Sequence, residues 1–495
     1  MSYNLSKSRY CSGVQCPKML WLKKNKSEEF DDSVMNTSIL QAGDEIGDLA
    51  MGLFGEFTEI PFNKDDLGKM AEDTKAEMAK GTLNIAEATF IFENLFCSVD
   101  ILRNLGDNRV ELYEVKSSTG LKDIYCHDIA FQYHILTSLG YTVTKSCLVH
   151  INNKYVRYGE LDINQFFEIE DLTDKIEKMQ CDIKHRIKSI QDYMEQTEEP
   201  VEKIGMHCTD PYDCGFFDYC TKDLPKPNIF DARGVGAKKK FNCYYDGLIT
   251  YEDLLEADVL SKNQNMQLDF IVNNLPPVID KKSISTFMQG ITYPLYFLDF
   301  ETFQPAIPLY DGTTPFTQIV FQYSLHYIEH EGGELHHKEF LAYPGSDPRR
   351  ALAEQLCKDI PLDVCTTAYN MSFEKGRIAE LANMYPDLSD HLMNIHSNIV
   401  DLMVPFQKKW YYCKAMDGSY SIKYVLPALC PDDPSLDYHN LEGVHNGAEA
   451  SATFTLMAKM SPDELEESRK NLLKYCCLDT YAMVKVWEKL REACE

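Results

Sequence analysis

The chain has 495 residues, of which 44% are hydrophobic and 25% are charged, a composition typical of soluble globular proteins. This length predicts two or three domains rather than a single core. The formal net charge of −28 argues against a broadly basic coat for nucleic acid, but an acidic site can still bind phosphate through metal ions. The sequence has no apolar run of membrane-spanning length and its N-terminus lacks an apolar signal core, so we expect a cytoplasmic protein with no membrane partner.

The first part of the chain alternates helical and strand patterns. Its predicted elements, in chain order, are a helix over 36–54, strands over 84–102 and 109–117, a helix over 127–139, a strand over 142–151 and a helical segment over 162–197. The cysteines, prolines and glycines of residues 208–236 then indicate a domain boundary.

Short helices are predicted over 230–275, and a new α/β pattern begins at Tyr293. Its predicted elements are strands over 295–300, 317–328 and 364–369, a helix over 373–384 and a last helix over about 462–492. The expected fold class is therefore α/β, with domains at 1–222 and 293–495 joined by a small helical segment at 223–292.

The first acidic motif is Asp100 followed, after thirteen residues, by Glu114-Val115-Lys116. Residues two apart on a strand point to the same face, so Glu114 and Lys116 lie side by side and a neighbouring strand can bring Asp100 to them. Such carboxylates hold Mg²⁺ or Mn²⁺, and the lysine stabilises charge on the attacking water or the phosphate. An exposed hairpin with ordinary surface charges is the alternative.

Further residues of the segment 1–222 accompany this motif, namely Cys16-Pro17, Trp21, Gly43 and Gln132. With Asp100, Glu114 and Lys116, they resemble the RecB-like branch of the PD-(D/E)XK nucleases, in particular the CRISPR-associated exonucleases that carry an iron–sulfur cluster. The resemblance implies metal ligands at Asp100 and Glu114, and catalytic roles for Lys116 and Gln132.

Two positions depart from that family. Its first helix usually carries a histidine, whereas this chain offers Glu45 or Asp48, of which Glu45 is the predicted third metal ligand. The family's glutamine is followed by a tyrosine four residues later, whereas here Tyr133 comes directly after Gln132.

Cys208, Cys214 and Cys220 form a compact trio in a polar, proline-containing segment. Clustered cysteines in a reducing compartment are better explained as metal ligands than as disulfides. The related exonucleases combine three C-terminal cysteines with one N-terminal cysteine in a Cys-Pro context, which implies Cys16 as the fourth ligand. The resemblance favours a 4Fe–4S cluster, and four thiolates on Zn²⁺ are the alternative.

The second half contains three further motifs, Asp299-Phe300-Glu301, Asn370-x₂-Phe373-Glu374 and Tyr475-x₃-Asp479. Together they resemble the DEDD 3′→5′ exonucleases of the ribonuclease H-like fold, in their tyrosine subtype. The resemblance implies that the four acidic residues hold two metal ions and that Tyr475 orients the attacking water. The family has aspartate where Glu374 stands, so we expect a weaker or shifted second metal. A domain of this fold that no longer cuts is the alternative.

Gly234-Val235-Gly236, followed by Lys238 and Lys239, resembles a helix-hairpin-helix element, whose backbone N–H groups contact DNA phosphates. A solvated lysine run explains the same residues equally well. The whole chain resembles a bacterial family that joins a RecB-like nuclease to a DEDD exonuclease. The expected function is metal-dependent hydrolysis of single-stranded DNA or duplex ends, in DNA repair or defence, with RNA left open as a substrate. The alternative is a nucleic-acid-binding protein in which one or neither site cuts.

Overall fold

The computed structural model describes residues 5–34 and 37–495, and the side chains of 37–41 lie outside this description. The fold is α/β. The chain divides into two compact units, Met1–Leu224 with Pro305–Thr317, and Pro225–Gln304 with Gln318–Glu495. The segment predicted as a linker thus belongs, from Pro225 onward, to the second unit. In the described ranges, no helix combines the length and apolarity needed to cross a bilayer.

The first unit is built on a seven-stranded sheet in the order β2-β3-β4-β5-β6-β7, with β1 paired to β4. Its strands are β1 (Leu5–Ser6), β2 (Thr58–Glu59), β3 (Asn84–Phe92), β4 (Leu95–Gly106), β5 (Arg109–Lys116), β6 (Thr142–Ile151) and β7 (Phe167–Asp171). Its α-helices are α1 (Lys7–Gln15), α2 (Pro17–Asn25), α3 (Thr37–Met51), α4 (Leu67–Lys80), α5 (Asp123–Ser138), α6 (Ile163–Phe166), α7 (Thr173–Met194) and α8 (Phe217–Thr221). Short 3₁₀ helices lie at Ser27–Glu29, Asp32–Val34, Gly52–Phe54 and Met206–Cys208.

Two predicted elements of this unit are wrong in detail. The apolar run predicted as one strand over 84–102 is a hairpin, because a turn in which Glu93 has a φ of 53° separates β3 from β4. The segment 162–197 contains the edge strand β7 between its helices, which its acidic composition conceals. The strand predicted over 142–151 is confirmed.

Both faces of this sheet are covered. Leu102 and Leu112 pack with α5 and α7 on one face, whereas Tyr113 and Val115 pack with Ile46 of α3 on the other. Because successive strand residues alternate between faces, Glu114 points to the side of Leu112, away from α3.

The second unit is built on a five-stranded sheet in the order β11-β10-β9-β12-β13, with a separate two-stranded pair. Its strands are β8 (Val278–Ile279), β9 (Leu295–Phe303), β10 (Ile319–Ile328), β11 (His336–Leu341), β12 (Cys365–Ala368), β13 (Ile399–Asp401) and β14 (Tyr411–Tyr412). Its α-helices are α9 (Ala237–Tyr245), α10 (Tyr251–Ala257), α11 (Lys262–Val272), α12 (Lys281–Met288), α13 (Arg349–Asp359), α14 (Ser372–Met384), α15 (Ser389–Ser397), α16 (Val404–Gln407), α17 (Ile422–Leu429), α18 (Gly447–Leu456) and α19 (Pro462–Cys494). Short 3₁₀ helices lie at Lys414–Met416, Pro434–Leu436, Tyr438–Asn440 and Met457–Lys459.

The long helix α19 covers one face of the five-stranded sheet. Its Met483 and Trp487 pack against Leu295 and Phe297 of β9. Strand β10 runs antiparallel to both of its neighbours, while β9, β12 and β13 run parallel. This arrangement places the last helix directly over the strand that carries Asp299 and Glu301.

Candidate functional sites

Three acidic side chains form a row across three neighbouring strands of the first unit. The pairing register of β3, β4 and β5 places Glu87 opposite Asp100, and Asp100 opposite Glu114 at the next position along. The row combines the two carboxylates predicted from the sequence with Glu87, which the sequence analysis missed. Glu87 has a φ of 54° within its strand, and no local sequence signal marks this feature.

Two lysines lie against this row. Lys7 Nζ is 2.9 Å from Asp100 Oδ1 and 3.1 Å from Glu114 Oε1. Lys116 Nζ is 2.5 Å from Glu114 Oε1 and 2.8 Å from Asp128 Oδ2. Burial lowers the pKa of both lysines, but the nearby carboxylates outweigh it and hold each pKa well above its usual range. Both lysines therefore remain cationic.

Gln132 completes the set predicted for this unit. Its Nε2 donates to Glu114 Oε2 at 2.6 Å and to Asp128 Oδ1 at 3.0 Å, while the buried Gln132 Oε1 has no hydrogen-bond partner among the described residues. The backbone N–H of Val115 donates to Asp100 Oδ2 at 2.7 Å. Asp128 was also missed, although its position one helical turn before Gln132 on α5 was a usable signal.

The charge of this cluster suits one divalent cation. Four ionised carboxylates (Glu87, Asp100, Glu114 and Asp128) and the two ammonium groups would sum to −2. Burial and the charge of Asp100 raise the pKa of Glu87 to about 7, while burial and Glu114 raise the pKa of Asp128. The unpartnered oxygen of Gln132 and the raised carboxylate pKa values are what an added cation would relieve.

Glu45 is not among the residues that the described contacts bring to this cluster. Glu45 is exposed on α3, next to Ile46, which packs against the face of β5 opposite to Glu114. The contacts described for Asp100 and Glu114 involve other residues. The third carboxylate that the strand register places beside Asp100 is Glu87, whereas the predicted third ligand was Glu45 of the first helix.

The four predicted cysteines converge on one small cavity. Cys16 precedes α2, Cys208 ends a 3₁₀ helix, Cys214 lies in a loop and Cys220 lies on α8, and all four line the same space. Burial raises the pKa of Cys16 to about 11 and that of Cys208 to about 12. These thiols are therefore protonated on their own and would lose their protons when they bind a metal. All 17 cysteines of the chain are free.

The second unit brings together all four of its predicted acidic residues. Asp299, Glu301 and Asp479 each place a carboxylate oxygen within 4.8 Å of the others. Glu374, in the first turn of α14, is buried, and its Oε2 has no hydrogen-bond partner in the part of the chain that the structure describes. Its charge contributes to the raised pKa of Asp299 and Glu301.

These carboxylates are strongly destabilised in their charged form. Burial raises the pKa of Glu301 and of Glu374 to about 8, and burial with the charges of Asp479 and Glu301 raises that of Asp299 well above its usual range. None of the four forms an ion pair with a lysine or arginine in the part of the chain that the structure describes. Lys423 lowers the pKa of Glu301 and Asp479 only through its charge. This cluster therefore requires cations or protons from solution.

Two tyrosines hold Asp479. Tyr438 donates to Asp479 Oδ1 at 2.7 Å, and hydrogen bonds from both Tyr438 and Tyr475 counteract the burial that raises the pKa of Asp479 to about 6. Tyr475 was predicted from its spacing, whereas Tyr438 was missed because it comes from a short 3₁₀ helix far from the motif. An open cleft of about 1150 Å³ lies next to this cluster, lined by residues that include Lys423, Tyr438 and His439.

The glycine loop before α9 lies in the second unit. Gly234 adopts a φ of 69°, Gly236 is the N-cap of α9, and Lys238 and Lys239 are exposed. The backbone N–H groups of the first helical turn therefore lie beside two exposed ammonium groups, an arrangement suited to an anion.

The comparisons with known proteins match only parts of the chain. A family described as "Domain of unknown function (DUF2779)" matches residues 296–421, which include Asp299, Glu301 and Glu374 and end before Asp479. A protein of Mycoplasma pneumoniae described as uncharacterized is 24% identical over 66% of this chain and 55% of its own length. Another, from Ureaplasma parvum, is 26% identical over 48% of this chain and 36% of its own length, so the chain spans roughly half or less of these relatives. No solved structure matches the chain.

Proposed function

We propose that this chain is a metal-dependent nuclease that hydrolyses DNA phosphodiesters. The first unit would be a PD-(D/E)XK-type nuclease, and the second a 3′→5′ exonuclease of the DEDD type on a ribonuclease H-like fold, both acting in the cytoplasm. The observation that carries the proposal is the convergence of Asp299, Glu301, Glu374 and Asp479 from three separate elements. Glu301 and Glu374 are buried and Asp299 and Asp479 are half-buried, and among the described residues no lysine or arginine forms an ion pair with them. Withdrawing four acidic groups together from solvent is costly unless the site binds cations.

In the second unit, the acidic residues would hold divalent ions, and the neighbouring tyrosines fix the orientation of these acidic side chains. Bound divalent ions would activate water and stabilise the leaving oxygen. Glu301 and Asp299 present their carboxylates from one strand, and Tyr438 and Tyr475 hold the Asp479 carboxylate. The adjacent cleft, with Lys423 and His439 at its wall, is large enough to admit the end of a nucleic-acid strand.

In the first unit, the lysines differ in their roles. Lys116, held by Glu114 and Asp128, can stabilise negative charge developing on a phosphate. Lys7 Nζ pairs with both Asp100 and Glu114, two of the carboxylates that would hold a divalent cation. We infer that the Lys7 ammonium would compete with such a cation for these two side chains.

The thiols of Cys16, Cys208, Cys214 and Cys220 support an iron–sulfur cluster over Zn²⁺. Ligand sulfurs of one zinc ion lie about 4 Å apart, and within the described residues these thiols do not form a group of three inside 4.8 Å. A 4Fe–4S cluster carries each thiolate on a different iron and separates them further. Cys208→Ser should lose the bound iron of anaerobically purified protein and lower its stability, while Cys97→Ser should keep both. If the wild-type protein contains zinc and no iron, the four cysteines form a zinc site and the iron–sulfur assignment is wrong.

The direct test is a degradation assay on end-labelled single- and double-stranded DNA and RNA, with Mg²⁺ or Mn²⁺. We expect Asp299→Ala to remove 3′→5′ shortening and to leave the metal-dependent activity of the first unit. A comparison of the degradation rates of DNA and RNA in the same assay shows which nucleic acid the protein prefers. No degradation of any substrate under these conditions would contradict the proposal.

One observation favours the alternative of a nucleic-acid-binding protein in which only one site cuts. Lys7 already forms ion pairs with Asp100 and Glu114, so its ammonium supplies part of the positive charge that a metal ion would otherwise bring to the first cluster. In that case, the Asp299→Ala protein would bind DNA in a gel-shift assay without degrading it.

A further inference from the structure

We propose that the second unit carries another metal site, of the zinc class, formed by His326, His337 and Cys477. One ligand atom from each of these side chains lies within 4.8 Å of the other two. The three come from β10, β11 and α19, and none of them belongs to the acidic cluster. Two imidazoles and a thiolate suit Zn²⁺ and related borderline ions, whereas Mg²⁺ and Ca²⁺ prefer oxygen ligands.

The strand register builds the site. His326 and His337 are directly paired across β10 and β11, and their rings lie 4.5 Å apart between centroids. Directly opposed residues of an antiparallel pair point to the same face. Thr480 of α19 contacts His326 on that face, so the helix brings Cys477 down onto the two rings.

The hydrogen bonds assign a free nitrogen to each ring. Thr480 Oγ1 lies 2.8 Å from His326 Nδ1 and 2.6 Å from Ser324 Oγ, and Ser324 Oγ lies 2.9 Å from His337 Nε2. The Thr480 hydroxyl can donate to the Cys477 carbonyl oxygen at 3.2 Å. In that arrangement Thr480 accepts from Ser324 and from Nδ1–H of His326, Ser324 accepts from Nε2–H of His337, and His326 Nε2 and His337 Nδ1 keep their lone pairs.

This pattern matches metal-binding histidines, which usually donate the second ring N–H to an oxygen that fixes their orientation. Burial lowers the pKa of His326 to about 4, and partial withdrawal of its ring from solvent lowers that of His337, although His337 as a whole residue is exposed. Both rings are therefore neutral near pH 7. Glu339 lies on β11 two residues after His337 and is close enough for its charge to act on both His337 and Cys477. Because His337 and Glu339 are exposed, a fourth ligand can come from Glu339 or from water.

Ligand atoms around one tetrahedral Zn²⁺ lie about 3.5 Å apart, so the three side chains need to close by only about 1 Å from their upper limit of 4.8 Å. The bound ion would link the edge strand β11 to α19, the helix that carries Tyr475 and Asp479. The site does not require the proposed nuclease activity, and its test is independent of it.

The test is metal binding by the full chain, stripped of metal and then titrated with Zn²⁺ or Co²⁺ in excess Mg²⁺, which occupies the carboxylate sites. His337→Ala removes an exposed ligand, and His336→Ala is its control, because the neighbouring His336 stacks on Tyr327 on the other face of β11. All variants keep the Cys16, Cys208, Cys214 and Cys220 thiols, so metal bound there cancels in the comparison.

We expect the wild-type and His336→Ala proteins to bind one more equivalent of Zn²⁺ than His337→Ala and Cys477→Ser. The Co²⁺ difference spectrum between wild type and His337→Ala should show tetrahedral bands with a thiolate-to-cobalt charge-transfer band, which Cys477→Ser also removes. Equal stoichiometry in all four proteins would overturn the proposal. So would a difference spectrum without thiolate character.

Discussion

The two acidic clusters differ in how the repulsion between their carboxylates is offset. In the first unit, Lys7 and Lys116 bond directly to Asp100, Glu114 and Asp128. In the second, two buried and two half-buried carboxylates lie together without an ion pair to any lysine or arginine of the described residues, and the pKa of Glu301 and of Glu374 rises to about 8. A lysine ammonium paired with the carboxylates stabilises the first cluster at any metal concentration, but it competes with a metal ion for them. A cluster without such an ion pair depends on bound metal ions for its stability.

The largest effect is expected at Lys116, the lysine that we assign to the reaction. Lys116→Ala in an Asp299→Ala background, where the second site is silent, should lower cutting by the first site by about 10²–10³-fold, because a group stabilising charge in the transition state typically contributes that much. End-labelled DNA degradation measures the rate. The control is Lys69→Ala, at an exposed lysine of the same unit. In the Asp299→Ala background it should leave the cutting rate unchanged. Unchanged cutting after Lys116→Ala would remove this lysine from the mechanism.

The next largest effect is a pH dependence of stability that we expect for the second unit and not for the first. Between the ordinary glutamate pKa of 4.5 and the folded value of about 8 for Glu301 and Glu374, the unfolded chain releases protons that the folded chain keeps. Without metal, stability of the second unit should therefore fall as pH rises through this window. A change of even about 2 kcal/mol lowers the melting temperature of a unit of this size by about 4–8 °C.

Calorimetry in EDTA at several pH values would measure the melting temperature of the second unit. Added Mn²⁺ should raise this melting temperature most at high pH. Asp299→Asn should flatten the dependence, because it removes one of the interacting charges, while Asp100→Asn should leave this transition unchanged. Stability that rises with pH in EDTA would show that the four carboxylates are already compensated in the metal-free protein.

A smaller effect is expected at Lys7. If its ammonium competes with the cation for Asp100 and Glu114, Lys7→Ala in the Asp299→Ala background should lower the Mn²⁺ concentration for half-maximal cutting about tenfold. Hydrogen bonds to charged groups contribute about 1.5–3 kcal/mol, and 1.4 kcal/mol corresponds to tenfold. Loss of cutting at every Mn²⁺ concentration would instead make Lys7 essential for the reaction.

The smallest effect concerns Glu374, whose side chain is one methylene longer than the aspartate of the family that the motif resembles. Glu374→Asp should preserve 3′→5′ shortening or raise it a few-fold, since a shorter carboxylate would restore the spacing of a two-metal site. The matched control is Glu380→Asp on the same helix, which should change nothing. If neither Glu374→Asp nor Asp299→Ala alters any degradation pattern, the second unit does not cut.

Much of each site was predictable because its motifs are local. Glu114 and Lys116, or Asp299 and Glu301, are two residues apart on a strand, so alternation alone places them on one face. Tyr475 and Asp479 share a helical face for the corresponding reason. The apolar runs that predict the strands also place these motifs within the sheets of an α/β fold, which the structure confirms.

The residues that sequence analysis missed reach their sites through long-range pairing. Glu87 joins Asp100 through the register of a hairpin whose turn at Glu93 interrupts no clear pattern. Lys7 and Asp100 are 93 positions apart, and Tyr438 meets Asp479 only where a 3₁₀ helix passes the last helix.

Local spacing thus determined which carboxylates could act together, because the periods of strands and helices are intrinsic to the backbone. Which cations accompany them depended on the folded chain. Whether a lysine lies against a carboxylate depends on strand register and helix packing, and these are set by burial of apolar surface across the whole unit. The contrast between a compensated and an uncompensated acidic cluster therefore became visible only when distant segments were brought into contact.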